Sequence, residues 1–272
     1  MFNTIKESFN ITNKNIIIAT PLIFFSLLSS LYLIFSSNGS SFSLIISAIL
    51  FFLMLGAFLA GWFMMITKAV KDSDIEDNKL IVEFPAGVGE YFLPILGMIF
   101  KIFIISAVIM IAAYFIGKKF VGNIGIPYAQ ILQATGSIDS MKEFVSALNE
   151  EQLIKINLYN LIFFFAMIFN YFILMFYPAA IFFKRKNPFI AFWIALKDTF
   201  SYKFFKNAAL FTMIFITYFI ISLFMALMGN NIIIHFILTL LNFYYVTFIG
   251  VLIFNYYYSN FAKIGSNVDT TV

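Results

Sequence analysis

The chain has 272 residues, of which 62% are hydrophobic, 20% aromatic and only 11% charged, with a net charge of +4. A soluble globular protein carries about 25% charged residues, so this chain has too few to cover a water-facing surface, and lipid is the solvent its composition fits. The absence of cysteine excludes a disulfide, a thiolate metal site and a thiol nucleophile, and a single histidine, His235, excludes a multi-histidine metal centre within this chain. The mild basic excess is spread over connections rather than gathered on one face, which argues against a nucleic-acid partner.

A helix needs about 20 apolar residues to cross about 30 Å of hydrocarbon. Six segments meet this, at about Asn15–Phe35, Phe42–Thr67, Ile99–Ile116, Asn157–Phe183, Ala208–Met228 and Ile232–Tyr258. They are apolar on all sides, without the alternation of a membrane β-barrel strand, and lipid requires each span to satisfy its own backbone, so the spans are read as helices. The first run is longer than the roughly 7–15-residue core of a cleaved signal and is read as a retained span. The fold class expected is all-α: one polytopic membrane domain over residues 1–272, six transmembrane helices paired as three hairpins.

Orientation follows from lysine and arginine, which favour the cytoplasmic side. With the N-terminus inside, that side receives Lys6, Lys14, Lys68, Lys71, Lys79, the Lys184-Arg185-Lys186 run, Lys197, Lys203, Lys206 and Lys263. The outer side receives only Lys118, Lys119, Lys142 and Lys155, and its short turns, 36–41 and 229–231, carry no charge. A cytoplasmic (inner) membrane with both termini cytoplasmic is expected. The long outer segment, about 118–155, reads as a helical loop, with short helices at Pro127–Ala134 and Ser137–Leu148 and a capping box at Ser140 and Glu143.

A weak internal repeat runs through the chain. Residues 5–35 and 196–227 each begin with an apolar residue, Lys, an acid, a hydroxyl residue and Phe, then enter a span. Phe2, Ile5 and Phe9 share one face of a first amphipathic pre-helix, and Phe189, Trp193, Leu196 and Phe200 one face of another. Such basic, aromatic helices lie in the membrane interface. A third copy is read at Val88–Phe100, giving three units of interfacial helix plus hairpin.

The candidate functional residues are few. No span contains aspartate or glutamate, so a proton relay or cation-coupled carrier lacks its usual group. No H-E-x-x-H, G-x-S-x-G or Walker sequence is present, and no cofactor or metal is expected. Asn170 and Tyr171 in the fourth span, with Asn242 and Tyr245 in the sixth, line a speculative mid-membrane polar cavity or serve as interhelical glue. Lys101, Lys197 and Lys203 are candidate lipid-headgroup contacts, with snorkelling the plainer reading for Lys101. Gly56, Ala57, Ala60 and Gly61 form a small-residue face for close helix packing, against an internal neighbour or another subunit. His235 sits one turn inside the sixth span, and Pro21, Pro94 and Pro178 lie toward cytoplasmic ends of spans, where each removes a backbone donor.

The stretch Leu80-Ile81-Val82-Glu83-Phe84-Pro85 with Gly97 beyond it, together with the pre-helix, the proline-bearing first span and the glycine-rich second span, resembles polytopic bacterial and archaeal membrane families of unknown function. Ala195-Leu196-Lys197-Asp198-Thr199-Phe200, ahead of a basic stretch and a span, is similar to the membrane domain attached to some glycerophosphodiester phosphodiesterases. The resemblance implies a fold and a compartment; the soluble catalytic barrel of those enzymes has no counterpart in this sequence, and no catalytic residue is carried over.

The expectation is a non-enzymatic membrane protein, transporter-like or lipid-contacting, whose partners are membrane lipids. The alternative is a structural or assembly subunit, with a membrane protein or a second copy against the Gly56–Gly61 face. The weakest reading is a lipid-headgroup enzyme using Glu143, Glu150 or Glu151.

Overall fold

The computed structural model describes residues 1–36, 41–127, 130, 134, 137–228 and 231–263. Most of the expected 127–134 helix and of the two short outer turns lies outside them. The described residues form helices and no strand: α1 (Phe2–Lys14), a 3-10 turn (Ile16–Ile18), α2 (Ala19–Ser36), α3 (Ser41–Lys71), α4 (Asp77–Phe120), α5 (Ile138–Ala147), α6 (Glu150–Leu174), α7 (Tyr177–Phe183), α8 (Pro188–Thr199), α9 (Phe204–Met228), α10 (Ile232–Tyr257) and a closing π-turn (Tyr258–Ala262). Five helical segments among them are long and apolar enough to cross a membrane: Ser43–Lys71, Asp77–Phe120, Glu150–Phe183, Phe204–Leu227 and Ile233–Ala262. A sixth is counted when α1 and the first part of α2, bent by 81°, are taken as one span. The protein is therefore all-helical and membrane-embedded. Two compact units are distinguished, one of Met1–Lys101 with Phe172–Val272, the other of Ile102–Tyr171.

In the first unit the chain breaks where Asn15 leaves helical geometry, at φ −118° and ψ 49°. Asn15 is buried and ties itself back, its side-chain amide donating to the Ile11 carbonyl at 3.0 Å. Trp62 of α3 donates its indole N–H to the Ile18 carbonyl at 3.0 Å, satisfying a backbone acceptor at the bend. Pro21 sits just inside α2, where a missing donor costs little.

The buried side chains of this unit cluster at the lysine-bearing ends of the helices. They run through Phe58–Val70 of α3, Leu80–Met98 of α4, all of α7 except Pro178 and Phe183, one face of α8, and Thr247–Tyr257 of α10. Aromatic rings fill this core: Tyr91 stacks on Phe182 with centroids 4.1 Å apart, Phe63 on Phe254 at 5.3 Å, and Phe176 on Tyr256 at 5.8 Å. Glycine allows the helices to meet. A Cβ on Gly87 of α4 would lie 2.4 Å from Met64 Cβ and 2.7 Å from the Ala60 carbonyl oxygen of α3, and one on Gly97 would lie 2.7 Å from Pro188 of α8.

One expectation is corrected here. Val88–Phe100 is not a separate pre-helix, because α4 runs unbroken for 44 residues through Pro85 and Pro94. Its buried positions, Leu80, Gly87, Tyr91, Ile95 and Met98, form one stripe at helical spacing, and continuing the helix keeps that stripe on the core despite two missing donors. The fourth expected span is present as one segment, Glu150–Phe183, with a local break: α6 ends at Leu174 and α7 restarts with Pro178 in its first turn, since the proline ring conflicts with the carbonyl four residues earlier.

In the second unit, the end of α4 meets α6. A Cβ on Gly117 would lie 2.4 Å from the Tyr159 ring, and Asn170 donates to the Ser106 hydroxyl at 2.8 Å. Gly122 and Gly125 adopt φ of 85° and 75°, the left-handed region open to glycine. The Tyr159 hydroxyl donates to the Gly122 carbonyl at 3.1 Å. The helix expected from Ser137 is present as α5, but its cap differs: Ser137 Oγ accepts from the Ser140 N–H at 3.1 Å, so Ser140 stands inside the first turn and makes no capping box with Glu143. The reciprocal box is at α6, where Gln152 N donates to Asn149 Oδ1 at 2.8 Å and Asn149 N to Gln152 Oε1 at 3.2 Å.

Candidate functional site

Two features of the first unit combine concavity or charge with position. The first is a groove of about 480 Å³ where α2, α3 and the start of α4 diverge. Thr20, Pro21, Phe24 and Phe25 line it from α2, Met54, Ala57 and Phe58 from α3, and Ile81, Phe84 and Pro85 from α4. The bend at Asn15 sets its mouth, because α2 leaves the core at a steep angle to α1. Phe25 stacks on Phe58 at 4.2 Å and forms its wall. Thr20 supplies its one polar side chain, so the surface suits a hydrocarbon rather than a polar solute. From Ile17 to Leu28 the groove follows α2 for about 16 Å at the helical rise.

The second feature is Lys101. Its ammonium donates to the Phe189 carbonyl at 3.1 Å and lies 4.4 Å from the Phe192 ring centroid, 5.1 Å from that of Phe189 and 5.6 Å from that of Trp193. Among the described residues no carboxylate reaches it, whereas Lys68 pairs with Glu83, Lys184 with Asp198 and Lys186 with Glu90.

The two pre-helices expected from sequence have a common construction. α1 buries Ser8, Ile11 and Thr12 and leaves Phe2 and Phe9 exposed; α8 buries Ala191, Phe192, Ala195 and Thr199 and leaves Phe189, Trp193 and Phe200 exposed. Small and polar residues, with Ile11 and Phe192, thus face the protein, and the other large aromatics face away. On α1 the inward polar groups are used: Asn255 of α10 donates to Ser8 Oγ at 3.1 Å and to Glu7 Oε2 at 3.2 Å, and Tyr244 donates to Asn13 Oδ1 at 2.5 Å.

The remaining sequence candidates are placed as follows. Asn170 and Tyr171 belong to the second unit, Asn242 and Tyr245 to the first. Asn170 bonds Ser106, and Tyr171 is exposed. The Tyr245 hydroxyl donates to the Ile214 carbonyl at 3.0 Å and shares a short hydrogen bond with Thr217, while Asn242 is half-buried. Lys203 is engaged within the protein, donating to the Asn260 carbonyl and side chain at 3.1 and 3.0 Å, whereas Lys197 is exposed. Gly56, Ala60 and Gly61 are buried; Cβ atoms on the two glycines would meet Leu96 and Phe84 of α4, so their neighbour is internal. Ala57 lines the groove instead. Glu143 and Glu150 are exposed and Glu151 pairs with Lys155 at 2.6 Å. His235 is exposed on α10. The described residues hold no group of three His, Cys, Asp or Glu suited to a metal.

The groove was not legible in the sequence. Its residues are unremarkable apolar ones, and only the divergence of three helices makes them concave. Comparison with protein families, curated proteins and solved structures found no match.

Proposed function

We propose that this protein is a multi-pass protein of a cytoplasmic (inner) membrane that holds a hydrophobic or amphipathic molecule, with its apolar part in the groove between α2, α3 and α4. The carbon-lined groove opening beside the bend between α1 and α2 carries this reading. The activity is non-enzymatic, transporter-like or lipid-contacting. In the proposed topology six spans pair as three hairpins with both termini cytoplasmic. Contacts within each unit support it: Tyr32 of α2 with the Ser47 carbonyl of α3, Asn170 of α6 with Ser106 of α4, and Tyr245 of α10 with Ile214 of α9. The lysine-rich connections support the orientation.

The test is mass spectrometry of the gently solubilised native protein beside the Ala57→Phe variant, which fills the groove. The native chain is expected to retain one lipid or small apolar molecule far above its membrane abundance, and the variant to lose it while keeping its size-exclusion profile. A native chain carrying only bulk membrane lipid would sink the proposal. Topology is tested separately: because the chain lacks cysteine, single cysteines at Asp72 and Lys142 are expected to react with an impermeant maleimide only from the cytoplasmic and outer sides respectively.

A further inference from the structure

An ammonium group has three N–H donors. Lys101 places one on the Phe189 carbonyl, and the faces of Phe189, Phe192 and Trp193 attract the charge without neutralising it. No carboxylate among the described residues approaches. The surroundings are apolar and outward-facing: Leu93 and Phe100 on α4 and Ile190 and Trp193 on α8 are all at least half exposed. A cation in such a setting lacks a counter-ion, and in lipid that is costly. Along α8, Lys197 stands one turn beyond Trp193 on the same exposed face, again with no carboxylate partner among the described residues.

From this charge arrangement we infer that Lys101, framed by Phe189, Phe192 and Trp193 and assisted by Lys197, binds the phosphodiester of an anionic membrane lipid. The phosphate oxygens accept the two free N–H donors of Lys101, while the exposed Phe189 and Trp193 side chains seat the glycerol and upper acyl region, as interfacial tryptophan does. Lys197 adds long-range attraction for net negative charge, which selects an anionic over a zwitterionic lipid. The inference rests on placing α8 at the membrane interface but not on an occupied groove.

The experiment uses the full chain in bilayers and reads Trp193 emission, taken as the difference between the native chain and Trp193→Phe, which leaves the buried Trp62 as the background. The quenchers are phosphatidylglycerol and phosphatidylcholine, each with a nitroxide at the top of one acyl chain and titrated over the same range of mole fraction. Phosphatidylglycerol is expected to quench at about fivefold lower mole fraction. Lys101→Gln is expected to abolish the preference, Lys101→Arg to keep it, and the groove variant Ala57→Phe to leave it intact, which separates this site from the groove. Equal quenching of the native chain by the two lipids overturns the inference, whatever the variants do. Loss of the preference on adding millimolar inorganic phosphate would reassign the site to the free anion and overturn the lipid assignment.

Discussion

The Tyr257 hydroxyl donates a 2.6 Å hydrogen bond to Asp198 Oδ2, and Lys184 reaches the same oxygen at 3.1 Å. One carboxylate thereby ties the end of α8 to the connection after α7 and to the last turn of α10. The adjoining backbone is held as well: Asn207 donates to the carbonyls of Asp198 and Thr199, both at 3.0 Å, and accepts from Tyr256 at 3.0 Å. Removing the carboxylate would leave a part-buried cation and a buried phenol without this partner. Asp198→Ala is expected to cost about 2–4 kcal/mol, and Asp198→Asn less. Thermal unfolding in detergent, followed by near-ultraviolet circular dichroism, checks both; an unchanged midpoint for Asp198→Ala would mean that α8 is anchored elsewhere.

Gly87 marks the closest approach of α4 to α3. Because an added Cβ would meet Met64 Cβ and the Ala60 carbonyl oxygen, a backbone atom that cannot swing aside, Gly87→Ala is expected to destabilise by about 1–3 kcal/mol. Gly89→Ala is the control, since nothing lies within 4 Å of its Cβ position. Size-exclusion profiles after graded heating should separate the two.

The capping box at Asn149 predicts a local effect. Asn149→Ala is expected to cost about 1 kcal/mol at the start of α6. Hydrogen exchange should rise at the first-turn amides of α6, including that of Gln152, and remain unchanged in α8.

Lys186 supplies a pH-dependent contact. Its ammonium bonds Glu90 at 2.5 Å, and this hydrogen bond holds its pKa above the usual lysine range. The pairing is present below the ordinary lysine pKa and is lost as pH rises through the raised folded value. Reductive methylation against pH is expected to modify Lys186 at higher pH in the native chain than in Glu90→Gln.

The class of this protein was legible from composition alone, because a chain with so few charges has no water-facing surface to build. Helices α1 and α8 were legible too: Phe2 and Phe9, and Phe189 and Trp193, fall at helical spacing beside lysines, and that pattern is local. Periodicity could not tell that Val88–Phe100 continues α4, since a proline such as Pro94 marks a boundary only when no buried stripe rewards continuing the helix. Nor could it show that Lys203 is held by Asn260 while Lys101, among the described residues, meets rings and a carbonyl but no carboxylate, because those partners lie 57 and 88 positions away. The sequence by itself determined solvent, helicity and the sites of charge. The tertiary structure decided the groove and the setting of each lysine, because concavity and counter-ions arise from the angles at which helices meet.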